Sequence, residues 1–279
     1  MKVTVLIENT SESELKCEHG LSLFIEYASK QYLLDAGTTG AFLENAAALG
    51  VPVLAADACI LSHGHYDHSG GFAEYLEQNQ TVKIYAMKGI DGEYYSGSGG
   101  EIHRIGVPEN VLSRNWERFE FIDQLFRLDQ DVYLVPHSTE GLEKIGERSK
   151  LYRKYKTEYL PDDFSHELSL VFDTEKGLVI FNSCSHAGIM NIMEEVMSVL
   201  PGRKIYAFLG GLHMKGKKDG KEVCTFSDSE VEAMADGLKE AGVQYLYTGH
   251  CTGQPGYALL KQYAGDMVQP LTTGKKIEL

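Results

Sequence analysis

The first part of the chain is built from short runs in which apolar and polar residues alternate. These runs predict strands at Val3–Glu8, Leu21–Tyr27 and Gln31–Asp35, the last two joined as a hairpin. The apolar run at 58–62 predicts a buried strand. A second hairpin is predicted to join 168–172 to 178–181.

Helical patterns and further strands follow. Helices are predicted over 40–49, from Ser69 to about 78, and over 189–200, 227–240 and 257–263, with strands at 204–209 and 244–248. Hairpins followed by strand–helix alternation predict an α/β protein with two sheets packed face to face and helices outside. We expect one domain over 1–279, with a lid or insertion around 88–115 and another around 143–161. In the second insertion, Tyr152, Tyr155 and Tyr159 have a spacing that predicts one helical face.

Composition narrows the class of protein. Of 279 residues, 43% are hydrophobic and 10% aromatic, which excludes a largely disordered chain. No apolar run approaches the roughly 18 residues of a membrane helix, and the N-terminal residues resemble a strand rather than a signal peptide. Five scattered cysteines without a CxxC motif predict a cytoplasmic protein with no disulfide framework. A net charge of −14 disfavours nucleic acid as a partner and leaves a small molecule as the expected one.

One short segment contains several residues of the types that bind metal ions. His63, His65, Asp67 and His68 lie within six residues. Imidazole and carboxylate ligands suit zinc, manganese or iron. The two alternating histidines, His63 and His65, should face one point, and Asp67 and His68 a second point after a bend. Two metal ions about 3.5–4 Å apart share a hydroxide and polarise a substrate oxygen, so this spacing predicts a binuclear site.

Three later strand ends carry further candidate ligands. The segment FNSCSHAGI supplies Cys184 and His186, GGLHM supplies His213, and TGHCTG supplies His250 and Cys251. Each follows an apolar strand and lies beside glycine, where the backbone can approach a site closely.

The HxHxDH spacing at residues 63–68 resembles the signature of the metallo-β-lactamase superfamily. The segments CSHAG, GGLHM and TGHCTG resemble its dihydropteroate-synthase-like branch, named after an archaeal enzyme of methanopterin biosynthesis. The resemblance implies a four-layer αββα sandwich of two mixed sheets. It also implies two divalent metal ions, expected to be zinc, with manganese or iron as alternatives.

The resemblance also implies how the ligands are shared. His250 matches the final metal ligand of the superfamily, while the usual third-ligand segment contains His166 without the flanking Gly and Thr. We therefore expect His186 to be the third ligand of the first metal and His166 to turn toward solvent, with His166 kept as the alternative ligand. Cys184 is a further candidate ligand as a thiolate.

Residues around these ligands have candidate roles. Asp35, at a strand end, is expected to orient a ligand histidine. His213 is expected to bind substrate or transfer a proton, and Asp67 to take part in catalysis. Lys215, Lys217 and Lys218 are candidates for binding a substrate phosphate or carboxylate, although charge runs are usually solvated faces. The remaining candidates, His19, His103 and His137, are expected to be solvated or structural.

The leading interpretation is a metal-dependent hydrolase whose metal-bound hydroxide attacks a small, phosphorylated or anionic substrate. A second interpretation keeps the fold and changes the reaction to a pterin-type transfer, joining a pterin methyl diphosphate to an aminobenzene ribosyl phosphate. A third, of another class, is a nucleic-acid processing protein, which the net charge disfavours. The oligomeric state stays open.

Overall fold

The computed structural model describes residues 1–279. The strands are β1 (Lys2–Ile7), β2 (Ser22–Tyr27), β3 (Lys30–Leu34), β4 (Ala58–Ile60), β5 (Ile84–Met87), β6 (Tyr94–Ser96), β7 (His103–Arg104), β8 (Phe119–Ile122), β9 (Phe126–Asp129), β10 (Val132–Pro136), β11 (Leu151–Tyr155), β12 (Glu158–Pro161), β13 (Leu168–Thr174), β14 (Gly177–Phe181), β15 (Ile205–Leu209), β16 (Lys215–Lys218), β17 (Lys221–Cys224), β18 (Tyr245–Thr248), β19 (Val268–Pro270) and β20 (Lys276–Glu278). The helices are α1 (Ala41–Leu49), α2 (Tyr66–Ser69), α3 (Phe72–Gln78), α4 (Glu109–Leu112), α5 (Glu143–Ser149), α6 (Ile189–Val199), α7 (Asp228–Glu240) and α8 (Gly253–Ala264). None of these helices combines the length and the apolar character needed to cross a membrane.

The chain forms two compact units. The first comprises Met1–Tyr94, Arg104–Asp123 and Leu271–Leu279, and the second comprises Tyr95–His103 and Gln124–Pro270.

A seven-stranded sheet in the order β20-β1-β2-β3-β4-β5-β8 organises the first unit. Its first strands form an antiparallel meander, while β3, β4, β5 and β8 run parallel. An apolar cluster that includes Phe24, Phe42, Phe72 and Tyr75 is fully buried. Since β3 and β4 are parallel neighbours, the residues that follow them lie at the same edge of the sheet.

A second seven-stranded sheet, in the order β19-β18-β15-β14-β13-β10-β9, organises the second unit. The hairpin of β13 and β14 is antiparallel, and β14, β15, β18 and β19 run parallel. Strands β14 and β15 are buried at every position, as expected for a sheet covered on both faces. The smaller sheet β12-β11-β6-β7, apart from its residues Tyr94 and Arg104, and the hairpin β16–β17 also belong to this unit.

The predicted α/β class, with mixed sheets and flanking helices, is confirmed. The start of α7 shows why its pattern was informative: the Ser227 side chain accepts a hydrogen bond from the Glu230 backbone N–H, and the Glu230 carboxylate accepts one from the Ser227 N–H. This capping box satisfies backbone donors that the first helical turn leaves without partners.

The prediction of a tyrosine-bearing helix near residues 152–159 is wrong. Helix α5 ends at Ser149, and β11 and β12 then pair as a hairpin in which Lys154 lies opposite Tyr159. Lys156, at the turn, adopts a left-handed backbone conformation with φ 55°. The three tyrosines, spaced three and four residues apart, therefore lie on two strands of a hairpin and not on a helix. Sequence spacing alone does not show where the chain reverses.

The helix predicted to start at Ser69 also differs. A helical turn, α2, begins inside the histidine segment with His65 as its N-cap residue, and α3 begins after Gly71. The Ser69 hydroxyl donates to the His65 carbonyl at 2.8 Å, so it closes this turn rather than capping the next helix.

Candidate metal centre

The histidine segment leaves the carboxyl end of β4 in the first unit. His63 and His68 are completely buried, and the ring of His63 lies 4.3 Å from that of His68 and 4.5 Å from that of His65 (centroid to centroid). The turn of α2 brings His68 back toward His63, because Asp67 and His68 lie in its first helical turn. Three imidazole rings are thereby held together within one short segment, a donor set suited to a divalent transition metal.

Asp35 orients two of these rings from the end of the neighbouring strand β3. Its carboxylate accepts the Ser62 backbone N–H at 2.8 Å and the Ser62 hydroxyl at 2.7 Å, and it lies 2.8 Å from Nδ1 of His68. Because the Ser62 hydroxyl donates to Asp35, its oxygen accepts from Nδ1 of His63, 2.8 Å away. Protonation at Nδ1 leaves Nε2 as the nitrogen of His63 and of His68 that could bind a metal ion.

Asp67 lies near two imidazoles. Its Oδ2 is 3.7 Å from Nε2 of His68 and 3.2 Å from Nε2 of His19. The chain before β2 is held against Asp67, since the Leu21 N–H donates to the Asp67 carbonyl at 3.3 Å. A Cβ at Gly20 would lie 2.6 Å from that same carbonyl oxygen, so this close approach requires glycine. His19 is therefore a neighbour of the segment.

Three loops of the second unit converge because the strands before them are parallel neighbours. Strands β14, β15 and β18 lie side by side, and their carboxyl ends lead into Asn182, Gly210 and Gly249 respectively. The loops are joined by hydrogen bonds: the Gly211 N–H donates to the Ser183 carbonyl at 2.8 Å, and the Leu212 N–H donates to the Thr252 hydroxyl at 2.9 Å. This edge carries His186, His213, His250, Cys184 and Cys251.

His186 is held on both its backbone and its ring. The buried Glu167 carboxylate accepts the backbone N–H groups of His186 and Ala187 at 2.8 and 2.9 Å. The Phe164 ring stacks on the imidazole at 5.1 Å, with an interplanar angle of 11°. Burial raises the pKa of Glu167, although the charge of His137 and these two N–H groups oppose the rise.

His166 is buried, and the expectation that it turns toward solvent is wrong. Its Nε2 lies 3.1 Å from Oδ2 of Asp162, another buried residue. Strand β13 begins only at Leu168, and Phe164 has a left-handed backbone with φ 51°, so a turn precedes the strand. Strand alternation therefore does not set the direction of the His166 ring, and the turn places it inside.

Cys184, His250 and Cys251 form a buried group of donors. Both sulfur atoms and one imidazole nitrogen of His250 all lie within 4.8 Å of one another. Burial raises the pKa of the Cys251 thiol, but hydrogen bonds with Cys184 and His213 and electrostatic interactions with His250 and His213 outweigh this effect. The pKa of Cys251 therefore falls below its ordinary value.

His213 lies beside His186, with ring centroids 4.5 Å apart. Its buried Nδ1 has no hydrogen-bond partner, and a buried nitrogen in that state is costly unless it serves a ligand or substrate. Several site residues have left-handed backbone: φ is 58° at Asp35, 52° at Ser185, 47° at His213 and 50° at His250. Such conformations are uncommon for residues other than glycine and cluster at functional sites.

A cavity of about 310 Å³ in the second unit opens beside this edge. His186 and His213 lie on its wall, and Ile145, Phe226 and Met234 contribute apolar surface. Lys150, Arg148, Lys215 and Lys217 also line it. A cavity with a largely apolar wall and a few convergent polar and charged groups is typical of a small-molecule binding site.

The basic residues differ in how much they are already paired. Arg148 donates to both carboxylate oxygens of Glu230, at 2.6 and 3.2 Å. Lys215 lies 3.4 Å from Glu222. Lys217 and Lys218 are both exposed near the turn of the β16–β17 hairpin, and Lys217 is the one of the two that lines the cavity. Of the predicted lysines, Lys215 and Lys217 thus border the cavity.

The other two histidines belong to none of the donor groups. His137 is buried, with Nδ1 2.7 Å from the Glu195 carboxylate and Nε2 2.8 Å from the Ser169 hydroxyl. His103 is exposed.

The sequence interpretation missed Glu167, which directly precedes β13, and it gave His19 in Glu-His-Gly no role beside the histidine segment. Cys251, which directly follows His250, was named as a candidate ligand but was not assigned to the metal site. Only the pair of adjacent donors at 250–251 carried a usable signal, because the partners of His19 and Glu167 are distant in sequence.

Comparison with known proteins agrees with this fold. The model of the metallo-β-lactamase superfamily matches residues 15–178, and the chain belongs to that superfamily.

Individual relatives extend over the whole chain. The 7,8-dihydropterin-6-methyl-4-(beta-D-ribofuranosyl)-aminobenzene-5'-phosphate synthase of Methanocaldococcus jannaschii is 29% identical, with 100% of this chain and 96% of the relative covered. A solved metal-dependent hydrolase of the β-lactamase superfamily is 26% identical, with a TM-score of 0.82 and 100% and 99% coverage. The Zn²⁺-bound PqqB of Methylobacterium extorquens, at 12% identity, a TM-score of 0.60 and 100% coverage of both chains, shares the fold.

Proposed function

We propose that the protein is a metal-dependent hydrolase acting on a small, phosphorylated or anionic substrate. The observation that carries the proposal is the buried HxHxDH segment, in which Asp35 and Ser62 orient the rings of His68 and His63. A relative described as a metal-dependent hydrolase, 26% identical over the whole chain, supports the reaction type.

The ligand sets follow the chemistry of the donors. The proposed metal ligands are His63, His65, Asp67 and His68 in the first unit and His186 and His250 in the second, with zinc as the expected metal. When bound, two such ions supply Lewis acidity at a substrate oxygen and lower the pKa of a water molecule. The protein's contribution is to hold each ring in one orientation, as Asp35 does for His68 and Phe164 does for His186.

The cavity residues have roles in binding and proton transfer. Lys217 and Lys215 attract the anionic group of the substrate, and the apolar wall near Phe226 accommodates its body. His213 has a buried Nδ1 without a partner and lies beside His186, which suits it to receive or deliver a proton at the reacting group.

Metal analysis and a hydrolysis assay test the proposal together. Protein purified without chelator is expected to hold one to two equivalents of divalent metal and to hydrolyse members of a panel of phosphate esters and lactones. The His65→Ala variant is expected to lose metal and activity, whereas His103→Ala, which alters an exposed histidine, keeps both. Full metal content in the His65→Ala variant contradicts the proposed site.

A second candidate is favoured by the relative from Methanocaldococcus jannaschii, whose name specifies a pterin–aminobenzene phosphate synthase. In that reaction a pterin methyl diphosphate loses diphosphate, and an aminobenzene ribosyl phosphate takes the place of water. Incubation with both substrates separates the two candidates. A coupled product supports transfer, and free pterin alcohol with diphosphate supports hydrolysis.

A further inference from the structure

We infer that Cys251 is a metal ligand and that, with Cys184 and His250, it gives one metal position of this protein a thiolate-rich coordination. This inference rests on the metal-dependent function proposed above and adds a ligand to it. It also restricts which metal ion is expected at the site, because thiolate ligands favour zinc or iron over manganese or magnesium.

The distances among the donors suit one ion. Both sulfur atoms and a nitrogen of His250 lie within 4.8 Å of one another. In a tetrahedral zinc site with Zn–S bonds of about 2.3 Å, sulfur ligands lie about 3.8 Å apart. Small side-chain rotations at Cys184 and Cys251 therefore bring the sulfur atoms into coordinating distance.

The backbone around Cys251 is shaped to hold its sulfur. A Cβ at Gly211 would lie 2.4 Å from Sγ of Cys251, so the sulfur occupies space that only glycine leaves open. The backbone N–H of His213 donates to the same sulfur at 3.3 Å. A sulfur that accepts an N–H is stabilised as thiolate, which is the form that binds metal.

The loops that carry the three donors are fixed to one another. The Cys251 thiol donates to the Cys184 carbonyl at 3.6 Å. The Leu212 N–H donates to Thr252, and the Gly211 N–H donates to Ser183, so the loop between β15 and β16 bridges both cysteine-bearing loops. A preorganised set of donors loses little conformational entropy when an ion binds.

Cys59 is a buried cysteine in an apolar environment and serves as a comparison for Cys251. It lies in β4 inside the apolar cluster of the first unit, among residues such as Phe72 and Tyr75. Burial raises the pKa of this thiol to about 12. Cys59 is therefore a matched control for a buried cysteine that does not bind metal.

Cobalt substitution tests the inference without an activity assay. The full-length protein is stripped with chelator and reloaded with Co²⁺, and its near-ultraviolet absorption is recorded. We expect a sulfur-to-cobalt charge-transfer band in the wild type. The band should lose about half its intensity in Cys251→Ser and in Cys184→Ser, since one of two thiolates is removed, and it should be unchanged in Cys59→Ser. Metal affinity in Cys251→Ser should fall at least roughly tenfold.

The outcomes separate this inference from the proposed function. Stoichiometric Co²⁺ binding by the wild type without a charge-transfer band overturns the thiolate ligands and leaves the metal-dependent function standing. An undiminished band in a folded Cys251→Ser protein shows that Cys251 is not a ligand, and it also leaves the metal-dependent function standing. Absence of Co²⁺ binding overturns both the inference and the proposed metal centre. Where Cys251→Ser does not fold, Cys184→Ser decides the question: a band that remains in this variant supports Cys251 as a ligand, and complete loss of the band overturns the inference.

Discussion

Oδ2 of Asp35 lies 2.8 Å from Nδ1 of His68, although the two residues are 33 positions apart in the chain. The contact exists because β3 and β4 are parallel neighbours, so that Asp35 and the segment after β4 leave the sheet at the same edge. A buried carboxylate beside Nδ1 fixes the orientation of the His68 ring, as a carboxylate behind a ligand histidine does in metal sites.

Replacement of Asp35 by Asn should therefore weaken metal binding. We expect a loss of about 10–100-fold in affinity, as is usual when a carboxylate behind a ligand histidine is removed. Competition with a chromophoric chelator measures it. Asp57→Asn, which removes an exposed carboxylate paired with Lys30, serves as control and should leave the affinity unchanged. Equal metal affinities in the two variants would show that Asp35 does not contribute to metal binding.

His186 and His166 are both buried, and they should respond differently to removal. His186→Ala is expected to lower metal occupancy and activity at least roughly tenfold, as for a lost ligand. His166→Ala should keep its metal and instead lose about 1–3 kcal/mol of stability, since the buried Asp162 carboxylate loses one of its hydrogen-bond partners. Metal content and urea unfolding of both variants provide the comparison. The reverse ranking of metal content would assign the third ligand to His166.

The β16–β17 hairpin offers a paired test of substrate charge. Lys217 lines the cavity, and Lys218 lies next to it on the same strand, where successive side chains point to opposite faces. With an anionic substrate, Lys217→Ala should raise KM roughly tenfold, the loss of about 1.4 kcal/mol of binding free energy, with little change in kcat.

The Lys218→Ala variant should have the KM of the wild type. Steady-state kinetics at low ionic strength is the suitable measurement, because salt screens such attraction. A neutral substrate should show no difference between the two variants, and equal effects of both substitutions would refute a specific role for Lys217.

Glu195 should make stability depend on pH in the acid range. Burial raises the pKa of this carboxyl, but hydrogen bonds from His137, Thr139 and Ser138 outweigh it, so the pKa lies below its ordinary value of 4.5. A carboxylate with a lowered pKa in the folded state contributes stability above the unfolded-state pKa and loses it as pH falls through the folded-state pKa.

Urea unfolding between neutral pH and about pH 3 should therefore show a steeper loss of stability below pH 4.5 in the wild type than in Glu195→Gln. Glu194→Gln, at the exposed neighbouring position, should follow the wild type. Parallel curves for wild type and Glu195→Gln would rule out this carboxyl as a source of the dependence.

Much of the architecture could be predicted from local pattern. The hairpin of β13 and β14 and the helix α7 follow from alternation and from the Ser227 and Glu230 pair, which are contacts between residues close in sequence. The helix predicted near Tyr152 failed because a spacing of three and four is equally compatible with two strands and a turn at Lys156.

The sequence alone determined the chemistry of the histidine segment, because His63, His65, Asp67 and His68 lie within six residues and short-range geometry brings their side chains together. Only the tertiary structure decided which donors in the second unit meet. Cys184 and Cys251 are 67 residues apart and approach because β14, β15 and β18 are parallel neighbours whose carboxyl ends share one edge. The burial of His166 was decided in the same way, since it depends on a turn and on Asp162 rather than on strand alternation. Long-range pairing and left-handed backbone leave no periodic pattern in a sequence, whereas the spacing of neighbouring ligands does.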